Sequence, residues 1–359
     1  MTKQRVGQCI YCGAVSPFSK EHYLPRCLGT FRGSDSLDDR ICENCNGELS
    51  GLERDFCRTG TQGFFRKTDG IRGRKHHRSW DPFWDTVNGD PVIEAYDKAT
   101  GVRYEPSGEG DGSVKLMRQL LIHHQDKRPE SICISDEMAI DMDLLKDKLR
   151  ELNIAKSKSI DIIGCSEDEM NAIEQVLDQL LKAGLPKDYE TASVNSGSRD
   201  VRVVGIMTNE YIRAVAKIGF HYFLKQFPEF NGSEPEFDKI RAFIKRGQKT
   251  KGKSDTEMFV KRRKPISISQ ARGAMPDWFG HMLGAGIMGD RVVAWAQFFV
   301  NPRGYTHAYE ISVGRNPSPL FYEETREHTF AYFEDGKQQG YDGEMKAAHR
   351  LKLWLPGLQ

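Results

Sequence analysis

The sequence predicts an α+β protein in which a small N-terminal module held by a metal precedes a larger mixed α/β accessory region. Three observations carry this. Six of the eight cysteines lie at or before Cys57, and four of the six form two pairs with two-residue gaps. Strand-like and helix-like stretches alternate from residue 92 onward. The chain has 359 residues, 38% of them apolar and 29% charged, enough for more than one core and too rich in apolar residues for disorder.

Cys9-Ile-Tyr-Cys12 and Cys42-Glu-Asn-Cys45 each place two thiolates around a tight knuckle, the spacing that grips tetrahedral zinc. The start, MTKQRVGQC, has no hydrophobic signal region, so the expectation is reduced, zinc-binding cysteines in a cytoplasmic protein rather than a disulfide framework. Reduced, buried thiols are the alternative. Cys27, Cys57, Cys133 and Cys165 lack the spacing and are expected as small core residues. The longest apolar run, Val292 to Val300, is far short of the ~20 residues of a membrane helix, so no membrane partner is expected. A net charge of +1 excludes a polyanion binder acting through its whole surface; affinity for nucleic acid has to come from local patches.

Residues 13–41 separate the knuckles, more than the roughly 15 to 20 residues common in zinc ribbons, which leaves room for other chemistry. Within them stands Glu21-His22-Tyr23-Leu24-Pro25-Arg26-Cys27-Leu28-Gly29, and Asn46 directly follows the second knuckle. This order, CxxC, EHxxPxxLG, CxxCN, resembles the HNH endonucleases, in the branch where asparagine takes the place of the last motif histidine. The likeness covers residues 9–58. It implies a ββα-metal fold: a hairpin carrying Glu21 and His22, then a helix running from Asn46 to about Asp55 or Cys57. It further implies His22 as general base, Glu21 and Asn46 as ligands of magnesium or manganese, and Asp39, with Asp38 as the alternative, as the middle-motif residue supporting the imidazole. Asp39 reads equally well as an ordinary turn residue.

These residue types suit phosphodiester hydrolysis. A histidine near neutrality takes the proton from water. Hard oxygen donors hold a divalent cation that offsets charge on the phosphate. Successive strand residues point to opposite faces, however, so Glu21 and His22 share a metal only if the strand twists or bulges. The competing reading makes His22 an ordinary histidine, Asn46 a helix cap and the module a non-catalytic, zinc-stabilised binder.

Phe64 to Arg78 holds six Lys or Arg against one Asp and is expected as a strand or loop touching phosphates through Arg66, Lys67, Arg72, Arg74 and Lys75, with a solvated hinge as the alternative. His76 and His77 are further candidates for phosphate or metal. Ser79 to Pro91 reads as a junction. Beyond it the pattern predicts a hairpin from Val92–Tyr96 and Val102–Tyr104, a strand at Ser131–Ile134, a helix at Glu137–Leu152, a strand at Ser159–Gly164 and a helix at Glu167–Ala183. A strand at Val201–Ile206, a helix at Asn209–Phe227 and a hairpin from Arg291–Val300 and Tyr305–Val313 follow. The helix at 209–227 has a core stripe of Ile212, Val215, Ala216, Gly219, Phe220 and Phe223. A second basic segment, Lys239 to Lys264, ends in Lys261, Arg262, Arg263 and Lys264; its glycine- and serine-bearing middle is expected as a mobile loop on a nucleic-acid backbone, or else as a solubilising loop.

The sequence therefore divides into a nuclease module at 1–78, a junction at 79–91 and a mixed α/β accessory domain at 92–359 that recognises or senses. The resemblance implies metal-dependent cleavage of DNA in preference to RNA, in bacterial restriction or antiphage defence. A non-catalytic adaptor, an RNA nuclease, a regulatory ligand or protein partner on the accessory domain, and the oligomeric state stay open.

Overall fold

The computed structural model describes residues 5–29, 31, 36–58, 60–68, 86–87, 90–91, 93–106, 114–125, 128–152, 154, 157–181, 201–205, 207–247, 259–263, 279–300, 308–318, 323–332 and 341–344. The chain forms two compact units. One comprises Met1–Arg66, Gly70–Ser79 and Met207–Gln359; the other comprises Lys67–Asp69 and Trp80–Ile206. A boundary at Ser79/Trp80 falls in the expected junction, but residues 92–359 do not group as one accessory domain: from Met207 onward they belong with the N-terminal segment.

In that first unit, β1 (Val6–Gln8) and β2 (Val15–Pro17) make an antiparallel hairpin. The knuckle turn between them closes on Gly13, whose φ of +73° suits glycine and whose N–H donates to Cys9 O at 2.8 Å. Next, β3 (Glu21–His22) pairs antiparallel with β4 (Ser36–Leu37), with Glu21 opposite Leu37 and His22 opposite Ser36. Helix α1 (Glu43–Arg58) follows, starting three residues before Asn46, and buries Cys45, Leu49, Leu52 and Phe56 along one stripe. Then α2 (Gly60–Thr68) replaces the expected strand or loop at residues 64–68: Gln62 and Phe64 are buried, and Phe65 stacks on Phe299 at 5.6 Å.

The second unit contains the short hairpin of β5 (Thr86–Val87) and β6 (Asp90–Pro91). Its β7 (Ile93–Asp97) and β8 (Arg103–Pro106) form the expected hairpin, Asp97 Oδ1 accepting the N–H groups of Ala99 and Thr100 at 2.8 and 2.9 Å in the turn. There follow β9 (Val114–Leu116), β10 (Gln119–His123), β11 (Glu130–Cys133), α3 (Asp136–Ile140) and α4 (Met142–Glu151). The single helix expected at 137–152 is broken at Asp141, whose side chain caps α4 by accepting the Asp143 N–H at 3.1 Å. The unit ends in β12 (Ser159–Ile163), α5 (Glu167–Leu181) and β13 (Val201–Gly205). Apart from β5 and β6, its described strands form two sheets, ordered β13-β7-β8-β9 and β11-β10-β12. Leu120, Ile122, Ile132, Leu145, Leu149, Ile160 and Ile173 join sheet and helices in one core. Every strand pairing among the described residues is antiparallel, so the alternation read as α/β layering is an α+β arrangement.

The chain then re-enters the first unit as α6 (Asn209–Gln226), capped by Thr208, whose Oγ1 accepts the Tyr211 N–H at 3.1 Å. After α7 (Asp238–Arg246) come β14 (Val260–Arg263), β15 (Phe279–Met288), β16 (Arg291–Val300), β17 (Ala308–Arg315), β18 (Glu323–Tyr332) and β19 (Tyr341–Glu344). They form a six-stranded antiparallel sheet in the order β14-β17-β16-β15-β18-β19. Helix α6 is buried nearly all round, between this sheet and α1. Gly219 faces the sheet, where an added Cβ would meet Ile311 Cδ1 at 2.9 Å and Ala294 Cβ at 3.2 Å. Lys217 and His221, about 200° away around the helix, face the N-terminal segment.

Candidate active site and metal centre

The two knuckles meet. Cys9 and Cys12 come from the tip of the β1–β2 hairpin, Cys42 and Cys45 from the start of α1, and their four sulfurs lie within 4.8 Å of one another. Cys12 Sγ and Cys42 Sγ are 3.7 Å apart, close to the ~3.8 Å edge of a tetrahedron with Zn–S of about 2.3 Å. The Cys42 N–H points at Cys9 Sγ (3.4 Å), and Lys245 Nζ of α7 reaches Cys45 Sγ at 3.7 Å, placing a cation beside a cluster that is anionic once metallated. The donor set fits structural zinc. Cys27 and Cys57, expected as separate core thiols, are instead brought together as a pair, their Cα atoms 6.3 Å apart, because the 3₁₀ turn Arg26–Leu28 packs on α1. Cys133 and Cys165 are free.

From Glu21 to Arg58 the elements follow in the order β3, the 3₁₀ turn Arg26–Leu28, β4 and α1. His22 is half-buried and its ring makes no hydrogen bond among the described residues. Burial, followed by the charges of exposed Arg26 and Lys20, lowers its pKa; Glu21 and Asp38 oppose this. The imidazole is therefore neutral near pH 7 and set among cations. Asp38 is the aspartate whose charge reaches it. Asp39, half exposed, pairs instead with Arg40 Nε at 3.4 Å and Arg5 Nη1 at 4.0 Å. Asn46 lies in the first turn of α1, half-buried, its amide without a hydrogen bond among the described residues.

Glu21 lies on the other side of β3. It is 3% exposed, and its Oε1 accepts a hydrogen bond from Lys217 Nζ and stands 3.3 Å from His221 Nδ1, off hydrogen-bond alignment. Lys217, fully buried, also donates to Glu53 Oε1 of α1. His221 Nε2 completes the chain through a 2.8 Å hydrogen bond with the Tyr11 hydroxyl, inside the first knuckle. Burial works against the Glu21 charge, but Lys217 and His221 together outweigh it and hold the carboxyl at about 2. For Lys217 burial is likewise outweighed, by Glu21 and Glu53, and its pKa is raised. Burial and the Glu21 charge push Glu53 up. Burial also takes His221 down to about 4, which keeps it neutral.

The basic residues are scattered. Arg66 of α2 donates to Cys57 O at 2.7 Å, and Lys67 is half-buried. At the start of the second basic segment, Lys239, Arg241, Lys245 and Arg246 are on α7, while most of its glycine- and serine-bearing middle, 248–258, lies outside the described residues. On β14, Lys261 and Arg262 are exposed while Arg263 is ion-paired with buried Glu310 at 2.7 Å. Arg72, Arg74, Lys75, His76, His77 and Lys264 lie outside the described residues.

Lys217, His221 and Glu53 did not emerge from motif reading. Their signal was a lysine and a histidine four apart in the apolar string Ala214-Val-Ala-Lys-Ile-Gly-Phe-His-Tyr-Phe223. No helix among the described residues is long and apolar enough to cross a membrane. No protein-family model, curated protein or solved structure matches the chain.

Proposed function

We propose that this chain is an HNH-type endonuclease that hydrolyses phosphodiester bonds, with DNA as substrate before RNA and foreign DNA in bacterial cells as the setting. The observation that carries the reading is His22: a neutral, half-buried imidazole free of hydrogen bonds among the described residues, on a hairpin that leads into a helix with Asn46 in its first turn. In this reading the imidazole takes a proton from the attacking water. Arg26 and Lys20, whose charges already reach the ring, attract the phosphate and offset charge building on it. Asp38 steadies the imidazolium that forms. The zinc thiolates hold hairpin and helix together. A magnesium or manganese ion, when bound, would supply Lewis-acid stabilisation. Of its two expected ligands Asn46 fits, while Glu21 does not, because its carboxylate is buried, 3% exposed, with the Lys217 ammonium already on Oε1.

The test is nicking of supercoiled plasmid by purified full-length protein, in magnesium and in manganese, beside His22→Ala. The expected result is cleavage by the native protein and none by the variant, with fold and zinc content unchanged. Undiminished cleavage by His22→Ala refutes the assignment.

A further inference from the structure

We infer that Lys217 and His221 of α6 are positioning residues of the site just proposed, and that Glu21 anchors the hairpin to them rather than coordinating a metal ion. The inference rests on the nuclease reading and follows from three placements. Glu21 and His22 are consecutive on a two-residue strand, so a side chain held inward at 21 turns its neighbour outward. The inward side chain is taken by a fully buried lysine 196 residues along the chain, in a contact that a cation on the same oxygen would have to displace. His221, one helical turn on, closes the cluster and is tied through Tyr11 to the first knuckle. Both ends of the nuclease segment, knuckle and hairpin, are thus fixed to one helix of the C-terminal part, and the orientation of His22 depends on it.

The experiment uses full-length protein. Plasmid nicking is measured for Lys217→Met, Lys217→Arg, Glu21→Gln and the double variant Glu21→Gln/Lys217→Met, across a magnesium and manganese titration, with zinc content and circular dichroism as controls of fold. The NMR signals of the His22 ring are recorded for each. For a positioning role, Lys217→Met and Glu21→Gln each lower kcat by about 10- to 100-fold with KM for DNA little changed. The double variant is then no worse than either single one, Lys217→Arg recovers part of the rate, added metal restores none of it, and the His22 signals move. Should Lys217→Met unfold, the double variant, which removes both charges together, carries the same comparison. Recovery of Glu21→Gln by raised metal, with Lys217→Met cutting at the native rate, overturns the inference in favour of a metal ligand. Unmoved His22 signals overturn it outright. If native protein does not nick at all while the signals still move, the nuclease reading fails and the anchor stands.

Discussion

Glu21 and Lys217, 196 residues apart in sequence, form an ion pair in the interior of the first unit, and no part of the lysine is exposed. A buried pair of this kind adds little net stability over apolar packing, but removing one partner strands the other charge. It therefore acts mainly as a specifier: only an arrangement that sets α6 against β3 satisfies both groups.

The N-terminal segment should not fold alone. Leu49, Leu52 and Phe56 of α1 share one core with α6 and the six-stranded sheet, Phe56 packing edge-on against Phe298 with ring centroids 4.9 Å apart. A fragment ending at Pro91 leaves that stripe in water and should show no cooperative thermal unfolding, even with zinc. In the full chain, Phe56→Ala should cost about 3–5 kcal/mol in a denaturant titration. A sharply melting fragment would show the segment to be autonomous.

Elemental analysis should find one zinc per chain. Cys42→Ser should lose it and melt at a much lower temperature, because binding a structural metal and folding are a single equilibrium. Folded protein without zinc refutes the assignment of Cys9, Cys12, Cys42 and Cys45.

Asp38 and Asp39 should separate in a pH–rate profile of plasmid nicking. The Asp38 charge favours the protonated imidazole of His22, so Asp38→Asn moves the rising limb to lower pH. Lys20→Gln or Arg26→Gln moves it higher. Asp39→Asn, whose carboxylate is engaged by Arg40 and Arg5, leaves it in place. A shift with Asp39→Asn alone would restore the middle-motif role to that residue.

Stability should fall on mild acidification. Burial keeps His221 neutral down to about 4 and His281 to about 3, the latter with Nδ1 accepting the Phe299 N–H at 3.1 Å. In the unfolded chain both take protons near pH 6.5, so that state binds more protons and gains as pH drops below that value. Glu21, held at about 2, contributes stability that is present above its unfolded value near 4.5 and is lost as pH falls from there toward 2. Melting temperature measured from pH 7.5 to 5 should therefore decline before the carboxylates respond. A flat profile would mean that neither histidine is buried neutral.

Local sequence determined what local chemistry can specify. Two-residue gaps between Cys9 and Cys12 and between Cys42 and Cys45 dictate knuckles, and the stripe from Cys45 to Phe56 dictates an amphipathic α1. Asp97 to Gly101 dictates a turn between β7 and β8, and the apolar period from Ile212 to Phe223 dictates α6. Strand β18 was not legible. Its Glu323-Glu-Thr-Arg-Glu-His-Thr-Phe-Ala-Tyr332 lacks strand alternation because its polar groups are satisfied by distant partners: Glu327 accepts from Trp295 Nε1 at 2.9 Å, and Arg326 bonds Gln226 O and lies over the Phe227 ring. The same limit hid the division into units. Met207 and the residues after it return to the N-terminal segment because α1 and the hairpins cannot bury their apolar faces within the first 66 residues, and only α6 and the sheet cover them. Motif spacing brought Glu21 and His22 forward as a pair. Which of the two turns inward was decided by a lysine and a histidine on α6, since the pairing of a buried charge depends on three-dimensional neighbours and leaves no mark in the local sequence around Glu21 and His22.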